Sequence, residues 1–245
     1  MDKNERISID GVLGQIRELG WTPGAIIDIG VATGTKGLYS VWPNVDICLV
    51  EPSPKSLVYM QQIAERYPKV HIYNVGASDH TGEAQAITYA GLLNVQFRKP
   101  KPGWDVSSFK VMTCDDIVAD AGLKGPFVYK LDTDTHEQEV LAGSSRTIEQ
   151  SEICIVEVNV FNGLRRRFTP DQMWRTMVDK GFSLLDVAST GYAPSGMLRT
   201  LDMVFLRTGG ELFEAAFKRA MKNMDLVEKR VKQQVQALTN NPTID

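Results

Sequence analysis

A dense group of titratable side chains follows two strand-like apolar runs in the second half of the sequence. Asp132, Asp134 and His136 alternate directly after one run, and Glu157 lies in the next. Ligands of an open α/β sheet bind outside the carboxyl ends of its strands, so we expect this group in a ligand crevice. A histidine or carboxylate there can act as a general base, whereas paired aspartates can hold a hard cation such as Mg²⁺. A plainer interpretation is that Asp134 and His136 cap the following helix.

A glycine turn after the first predicted strand is the next informative segment. Asp28 lies near the end of the strand, and Gly30 and Gly34 follow with three residues between them. Glycines let the backbone approach a ligand closely and adopt conformations closed to other residues. The spacing differs from the G-x-G-x-x-G of dinucleotide enzymes because Ala32 and Thr35 replace two of its glycines. Taken alone, the turn is also typical of a tight strand-to-helix connection.

Acidic residues also follow the second and third predicted strands. Glu51 ends the second strand, where a carboxylate can accept hydrogen bonds from two ribose hydroxyls and repels a 2′-phosphate. Gly76 and Ala77 follow the third strand and leave room for an adenine ring. The next residues are Ser78 and Asp79, and Asp79 can accept from the exocyclic amine. An ordinary Asx turn is the plainer interpretation of Asp79.

Short β-type runs alternate with longer helical runs along most of the chain. This alternation predicts an α/β fold, a doubly wound, mostly parallel seven-stranded sheet with helices on both faces. Met173, Trp174 and Met177 are predicted to face the core from one of the helices. The predicted strands are 25–29, 47–51, 70–75, 127–132, 153–158, 183–187 and 201–206, with a loop over 189–196. The predicted helices include 8–19, 136–148, 170–180 and 211–238.

Residues 80–113 interrupt the alternation and are rich in turn residues. We predict an inserted loop there, with short β segments near 86–89 and 109–113. The whole pattern predicts one domain over 1–208, which opens with a helix in its first 20 residues. A helical extension over 209–245 follows it.

The composition argues against several classes of partner and location. The chain has 245 residues, of which 43% are hydrophobic and 23% charged, and its formal net charge is −3. This balance does not favour nucleic acid as a partner. No apolar run reaches about 18 residues and the N-terminus is polar, so we expect no membrane span and no signal segment. Cys48, Cys114 and Cys154 are expected as thiols in a reducing compartment, which predicts a cytoplasmic protein.

The last predicted helix carries an apolar stripe among lysine, arginine and glutamate side chains. Its polar face has charges of both signs, which favours a cap on the domain or a homo-oligomer contact over a helix lying on a membrane. The stripe comprises Phe213, Phe217, Ala220, Met224, Val227, Val231 and Leu238.

Six segments of the sequence, taken in order, resemble the FkbM family of methyltransferases. The resemblance covers roughly residues 10–207. The chain departs from the family at Val31 and Ala32, where Ala-Asn is usual, and at Asp134-Thr135, which replaces Glu-Gly. The segments that carry the resemblance are Asp28-x-Gly30-x-x-x-Gly34, Val50-Glu51-Pro52-Ser53-Pro54, Asn74-x-Gly76-Ala77-Ser78-Asp79-x-x-Gly82, Thr113-Cys114-Asp115-Asp116-Ile117, 130–143 and Ile155-Val156-Glu157-Val158.

The resemblance implies a class I methyltransferase fold, which is Rossmann-like, and S-adenosyl-L-methionine as cofactor. It also implies methyl transfer to oxygen, commonly on a sugar or natural-product-like small molecule. The residues then expected to bind the cofactor are Asp28, Gly30, Gly34, Glu51, Ser78, Asp79, Lys130 and Asp132.

An alcohol is a poor nucleophile at neutral pH and needs a base or a metal to remove its proton. We therefore predict a catalytic group of His136, Asp132, Asp134 and Glu157. Either His136 is the base, or Asp132 and Asp134 hold a divalent metal. Arg165 and Arg166 are candidates to bind an anionic group of the acceptor, although a solvated basic loop is the plainer interpretation.

Two other functions stay open at this point. A nucleotide-dependent oxidoreductase is disfavoured by the glycine spacing and by the lack of a Tyr-x-x-x-Lys pair. A non-catalytic module on a methyltransferase fold is disfavoured by the presence of Asp28, Glu51, Asp79 and Asp132.

Overall fold

A computed structural model describes residues 8–35, 37–88, 95–97, 101, 104–134, 136–160 and 168–240, with the backbone alone at 223, 225, 235 and 237–240. The strands are β1 (Ala25–Ile29), β2 (Asp46–Val50), β3 (Val70–Tyr73), β4 (Gly76–Ala77), β5 (Gly82–Thr88), β6 (Val95–Gln96), β7 (Val106–Met112), β8 (Phe127–Leu131), β9 (Ser151–Asn159), β10 (Phe182–Tyr192) and β11 (Leu198–Arg207). The helices are α1 (Ile9–Arg17), α2 (Leu57–Arg66), α3 (Cys114–Asp120), α4 (Glu137–Ala142), α5 (Ser145–Glu149), α6 (Pro170–Asp179) and α7 (Glu211–Asn240).

Seven strands form the main sheet in the order β10-β11-β9-β8-β1-β2-β3. The pairs of β1 with β2 and β8, of β2 with β3 and of β8 with β9 are parallel, and β11 is antiparallel to both of its neighbours. The predicted doubly wound, mostly parallel seven-stranded fold is confirmed. Its carboxyl-end edge carries, in order, the ends of β9, β8, β1 and β2.

Side chains point alternately to the two faces of the sheet along each strand, and helices bury both faces. In β1, Ile27 and Ile29 pack under α3, α4, α5 and α6, whereas Ile26 packs under α1 and α2. The three cysteines are buried free thiols, as predicted. None of the helices described by the structure has the length and apolar composition of a membrane span.

A second sheet occupies the region predicted as a loop with two short β segments. Its order is β4-β7-β5-β6, and β5 and β7 pair antiparallel over their length. The prediction was too short because both strands have mostly exposed polar residues at one end, so little apolar alternation marks them. The sheet lies immediately beyond β3, beside the carboxyl-end edge.

The predicted helix 136–148 is two helices, and the break has a local cause. A side chain at Gly143 would meet the backbone oxygen of Ser78 at 2.0 Å. Only glycine fits this close approach, and α4 ends at Gly143. Ser144 Oγ then donates back to the Val140 carbonyl at 2.5 Å. The predictions for the last strands were also short: β10 includes residues 189–192, the first half of the loop predicted over 189–196, and β11 begins three residues before the predicted strand.

The inward orientation predicted for Trp174 is wrong. Met173 and Met177 are fully buried on one side of α6, and Trp174, one residue round the helix, is 46% exposed. A capping box starts α6: the Thr169 backbone nitrogen donates to Gln172 Oε1 at 3.1 Å.

Candidate active site

Gly30 brings the end of β1 against the end of β8. Its φ is +84°, and a Cβ at this position would lie 1.6 Å from the backbone oxygen of Asp132, so only glycine fits. The Asp132 nitrogen donates to the Ile29 carbonyl and the Gly30 nitrogen to the Val50 carbonyl, both at 2.9 Å. The ends of three strands are thus joined through their backbones beside the turn.

Glu51 lies one residue beyond β2 and is almost completely buried, with 6% exposed. Its two carboxylate oxygens accept from the backbone nitrogens of Ala32 (3.0 Å) and Ser53 (2.9 Å). Burial raises the pKa of Glu51, and these two hydrogen bonds oppose the rise. The carboxylate therefore ties the glycine turn to the end of β2 at the position where the sequence predicts ribose binding.

A cavity of about 370 Å³ opens along this edge of the sheet. Small and apolar residues from β4 and the segment of β6, in the second sheet, line one part of it, its apolar end, and carboxylates at the ends of β8 and β9 line another, its acidic end. Glu51, just beyond β2, lines the same cavity. The apolar end comprises Gly76, Ala77, Val95 and Phe97, and the acidic end Asp132, Asp134 and Glu157, with Arg199 of β11.

His136 lies at the apolar end, against Phe97. The two ring centroids are 5.0 Å apart, at an interplanar angle of 32°. His136 Nε2 is 3.2 Å from Ser78 Oγ, and Nδ1 is 3.4 Å from a Glu139 oxygen. His136 holds the N-cap position of α4, but its side chain does not make the capping hydrogen bond. The structure therefore brings His136 and Ser78 together, and places them near the predicted adenine position.

Asp132 and Glu157 form a hydrogen-bonded carboxyl pair at the acidic end. The hydrogen bond to Asp132, with burial, raises the pKa of Glu157 to about 9. Burial alone would raise the pKa of Asp132, but the Lys130 ammonium and the bond to Glu157 hold it below its usual range. The pair therefore holds one proton at neutral pH, and its negative charge is favoured on Asp132 beside Lys130. Asp134 lines the same end with a left-handed φ of +50°.

A buried chain of polar groups supports this carboxyl pair. Lys130, 3% exposed, places Nζ 2.9 Å from Asp132 Oδ2 and 3.8 Å from Asp28 Oδ1. The Tyr39 hydroxyl donates to Asp28 and accepts from the Thr35 nitrogen at 3.2 Å. Asp28 and Lys130, predicted to bind cofactor, do not line this cavity, but Lys130 lines an adjoining one of about 660 Å³ together with Asp132 and Glu157.

The sequence matches no family model. A search of curated proteins gives no match either.

The fold is similar to that of several solved methyltransferases. One is magnesium protoporphyrin IX methyltransferase from Synechocystis PCC 6803 with bound SAM: 15% identity, TM-score 0.45, covering 81% of this chain and 77% of that one. Another is 1,6-didemethyltoxoflavin-N1-methyltransferase from Burkholderia thailandensis, with 15% sequence identity and a TM-score of 0.46. The match covers 81% of this chain and 76% of that one. A third is N-methyltransferase NodS from Bradyrhizobium japonicum WM9, with 8% sequence identity and a TM-score of 0.45. The match covers 79% of this chain and 93% of that one. Similarity at this level does not carry an acceptor over to this chain.

The other predicted site residues lie apart from the cavity or outside the described residues. The Asp79 side chain is 51% exposed and pairs with His80 Nδ1 at 2.7 Å. Gly34 takes a left-handed φ of +104° beside Ile63. Arg165 and Arg166 fall outside the described residues. Across the described ranges, no three histidine, cysteine, aspartate or glutamate side chains are grouped as metal ligands would be.

Sequence reasoning missed Tyr39 and Phe97. Tyr39 lies in an apolar run, where nothing local separates a tyrosine that bonds a carboxylate from an ordinary core residue. Phe97 lies in the region predicted as a loop, and only the pairing of β5 with β6 brings it to the cavity. The unusual presence of Asp28 inside a buried strand was the one available signal that a polar partner must be near.

We expect Tyr39→Phe to lower the free energy of unfolding by about 1.5–3 kcal/mol, because a buried carboxylate loses a hydrogen-bond donor. Urea unfolding measures this. Tyr67→Phe is the matched control, since the Tyr67 ring packs on Tyr39 at 5.8 Å. The control should change stability by less than about 0.5 kcal/mol. Equal losses in the two variants would show that the Tyr39 hydroxyl does not support Asp28.

Proposed function

We propose that this protein is an S-adenosylmethionine-dependent methyltransferase of the FkbM type, which methylates a hydroxyl on a sugar or other natural-product-like small molecule. The observation that carries the proposal is the cavity at the carboxyl ends of β1, β2 and β8. It has a buried carboxylate where ribose is expected, an apolar end for a flat base and an acidic end for chemistry. The FkbM resemblance of the sequence supports the same function.

The lining residues fit the proposed cofactor. A volume of about 370 Å³ is within the range of small-molecule sites. Glu51 would hold the ribose hydroxyls, and Phe97 with the small residues of β4 would hold the adenine. When bound, the cofactor supplies an electrophilic methyl group on a positively charged sulfur. Nearby carboxylates stabilise such a positive charge, and the acidic end of the cavity provides them.

The acidic end provides the proton acceptor that a hydroxyl needs. Asp132, ionised beside Lys130, can accept a hydrogen bond from the acceptor hydroxyl and orient it. Glu157 shares a proton with Asp132, so the two carboxyls act as one unit. The pair can take up the proton of the hydroxyl when Glu157 has lost its own. We therefore favour the carboxyl pair over His136 as the base, because His136 contacts Phe97 and Ser78 instead.

A metal-assisted route is the weaker mechanism. Asp132, one of the two predicted metal ligands, already has the Lys130 ammonium 2.9 Å away. A cation at that carboxylate would be repelled by this neighbouring charge. Turnover in the presence of a chelator should therefore equal turnover without it.

Turnover should rise with pH through about 9 and then level off, because a base works in its deprotonated form and the pKa of Glu157 is raised to about 9. The measurement is kcat against pH with saturating cofactor and acceptor. Circular dichroism at each pH confirms that the protein stays folded. A kcat that reaches its plateau near neutral pH would contradict the assignment of the base to the carboxyl pair.

The proposed function is tested by transfer of a labelled methyl group. The protein is incubated with methyl-labelled S-adenosylmethionine and a panel of sugars, phenols and amines, and the products are identified by mass spectrometry. Label on the oxygen of a hydroxylated acceptor supports the proposal. Label on nitrogen alone contradicts O-methylation, and no transfer to any acceptor by a protein that binds the cofactor supports a non-catalytic module.

A further inference from the structure

The helix α7 extends well beyond the body of the protein. Its 30 residues span about 45 Å. Leu212 is buried, Phe213 packs on the core, and Arg219 Nη2 lies 2.6 Å from Glu18 Oε2 of the segment after α1. From residue 221 to 236, every side chain that the structure describes is exposed. The first turns are therefore attached to the domain and the remaining turns extend into solvent.

The exposed part carries a regular apolar seam, which we define as Phe217, Ala220, Met224, Val227 and Val231. These residues are spaced alternately by three and four positions. That repeat of 3.5 residues is the spacing of a coiled coil, in which an apolar seam faces another helix. The spacing therefore indicates a helical partner.

None of the residues that the structure describes covers the seam. Phe217 is 53% exposed, Met224 63%, Val227 56% and Val231 50%. Most of the stability of a helix in a protein comes from packing of its apolar face, and this face has no such packing in the part of the chain that the structure describes. Such a row of half-exposed large side chains marks an interaction site.

A groove runs between the proximal half of the seam and the body of the domain. Its volume is about 370 Å³, and one wall is the seam itself. The opposite wall consists mostly of apolar side chains from α1, the residues just after it, and β10, with Gln15 and Asp186 among them. The lining includes Ile16, Leu19, Leu185, Ala220, Met224 and Val227.

We propose that the seam binds the same seam of a second copy of this chain, as an antiparallel helix pair. In such a pair the distal half of each α7 enters the groove of the other. A dimer with a single two-fold axis therefore buries both the distal seam and the groove of each chain. This is the geometry of an isologous dimer. The partner helix must have the same heptad spacing, and the seam of a second copy has it.

The exposed area is sufficient for this interface. The half-exposed apolar side chains of the seam, together with Met221 beside it, leave on the order of 500 Å² on each chain. Two copies then bury on the order of 1,000 Å² of apolar surface, the lower bound of a specific interface. Further area comes from the groove walls.

A membrane surface is the competing occupant. The sequence of the exposed turns has two acidic residues, Asp225 and Glu228, and four basic ones, Lys222, Lys229, Arg230 and Lys232. Glu228 pairs with Lys232 at 2.7 Å. A helix that lies on anionic lipid has a more uniformly basic polar side. The mixed charges favour a protein partner.

The test compares two matched pairs of charges on α7. Met224→Glu with Val227→Glu places two carboxylates in the seam. Gln233→Glu with Gln236→Glu places two carboxylates on the exposed helix off the seam. Sedimentation equilibrium measures the mass of each protein, and circular dichroism confirms that both variants are folded. Vesicles of phosphatidylcholine with phosphatidylserine test lipid binding.

We expect the unmodified chain and the Gln233/Gln236 variant to have twice the mass of the chain, and the Met224/Val227 variant to be monomeric. Methyl transfer by the monomer reports separately on the proposed function. A monomeric unmodified chain overturns the proposal, and so does a dimer that persists in the Met224/Val227 variant. A chain that is monomeric and binds the vesicles assigns the seam to a lipid surface instead.

Discussion

Glu157→Gln should lower turnover by about 10²–10⁴, measured above pH 9, where the unmodified enzyme has its full base form. Glutamine has the shape of a protonated glutamate and can donate to Asp132 in the same way, so the pair remains hydrogen bonded. The variant loses only the ability to release and take up the proton. Its affinity for S-adenosylmethionine should stay unchanged.

His136→Gln is the matched comparison for this prediction. Because His136 packs on Phe97 and contacts Ser78, its loss should raise the KM for the cofactor more than it lowers kcat. Full turnover in Glu157→Gln, combined with a loss of 10²-fold or more in His136→Gln (about the minimum for a lost general base), would return the base role to the histidine.

Glu51→Ala should weaken binding of S-adenosylmethionine by about 2–4 kcal/mol, which corresponds to roughly 30- to 1,000-fold in Kd. Two effects act in the same direction. The ribose loses its acceptor, and the nitrogens of Ala32 and Ser53 lose theirs, so the glycine turn is held less firmly. Isothermal titration calorimetry measures the change.

Glu65→Ala is the control for the loss of a carboxylate. Glu65 lies exposed on α2, away from the cavity, and its removal should leave cofactor affinity unchanged. If a folded Glu51→Ala variant binds the cofactor as tightly as this control does, the ribose assignment is wrong.

The strands of the central sheet were predictable because each is a short apolar run with a clear boundary. The run Ala25–Ile29 is buried at every position, and turn residues flank it. The parallel topology follows from the alternation of such runs with helices. The ends of strands bearing Gly30, Glu51 and Asp132 could therefore be placed at one edge before any coordinates were known.

The contacts made across long sequence separations were not predictable. The half-exposed strands β5 and β7 lack a strong apolar alternation, so the second sheet, and with it Phe97, was missed. The position of His136 depends on Phe97, and its sequence neighbours Asp132 and Asp134 indicated the acidic end instead. Trp174 was assigned inward from its apolar character, although its place on α6 turns it to solvent.

The argument against a dinucleotide enzyme rests on residues at the same edge of the sheet. Ala32 and Thr35 stand at glycine positions of the dinucleotide turn, and the Glu51 carboxylate accepts from the Ala32 nitrogen. The backbone of the turn is thereby directed towards Glu51. We expect no detectable binding of NAD⁺ or NADP⁺.

The central claim is that the cavity bounded by Glu51, Phe97 and Asp132 binds S-adenosylmethionine. The most direct measurement is calorimetric titration of the protein with S-adenosylmethionine, S-adenosylhomocysteine and NAD⁺ in parallel. The account predicts one site per chain for both sulfur compounds, at micromolar affinity or tighter (about −8 kcal/mol), and no heat of binding with NAD⁺. Binding of NAD⁺ in the absence of binding by either sulfur compound would contradict it.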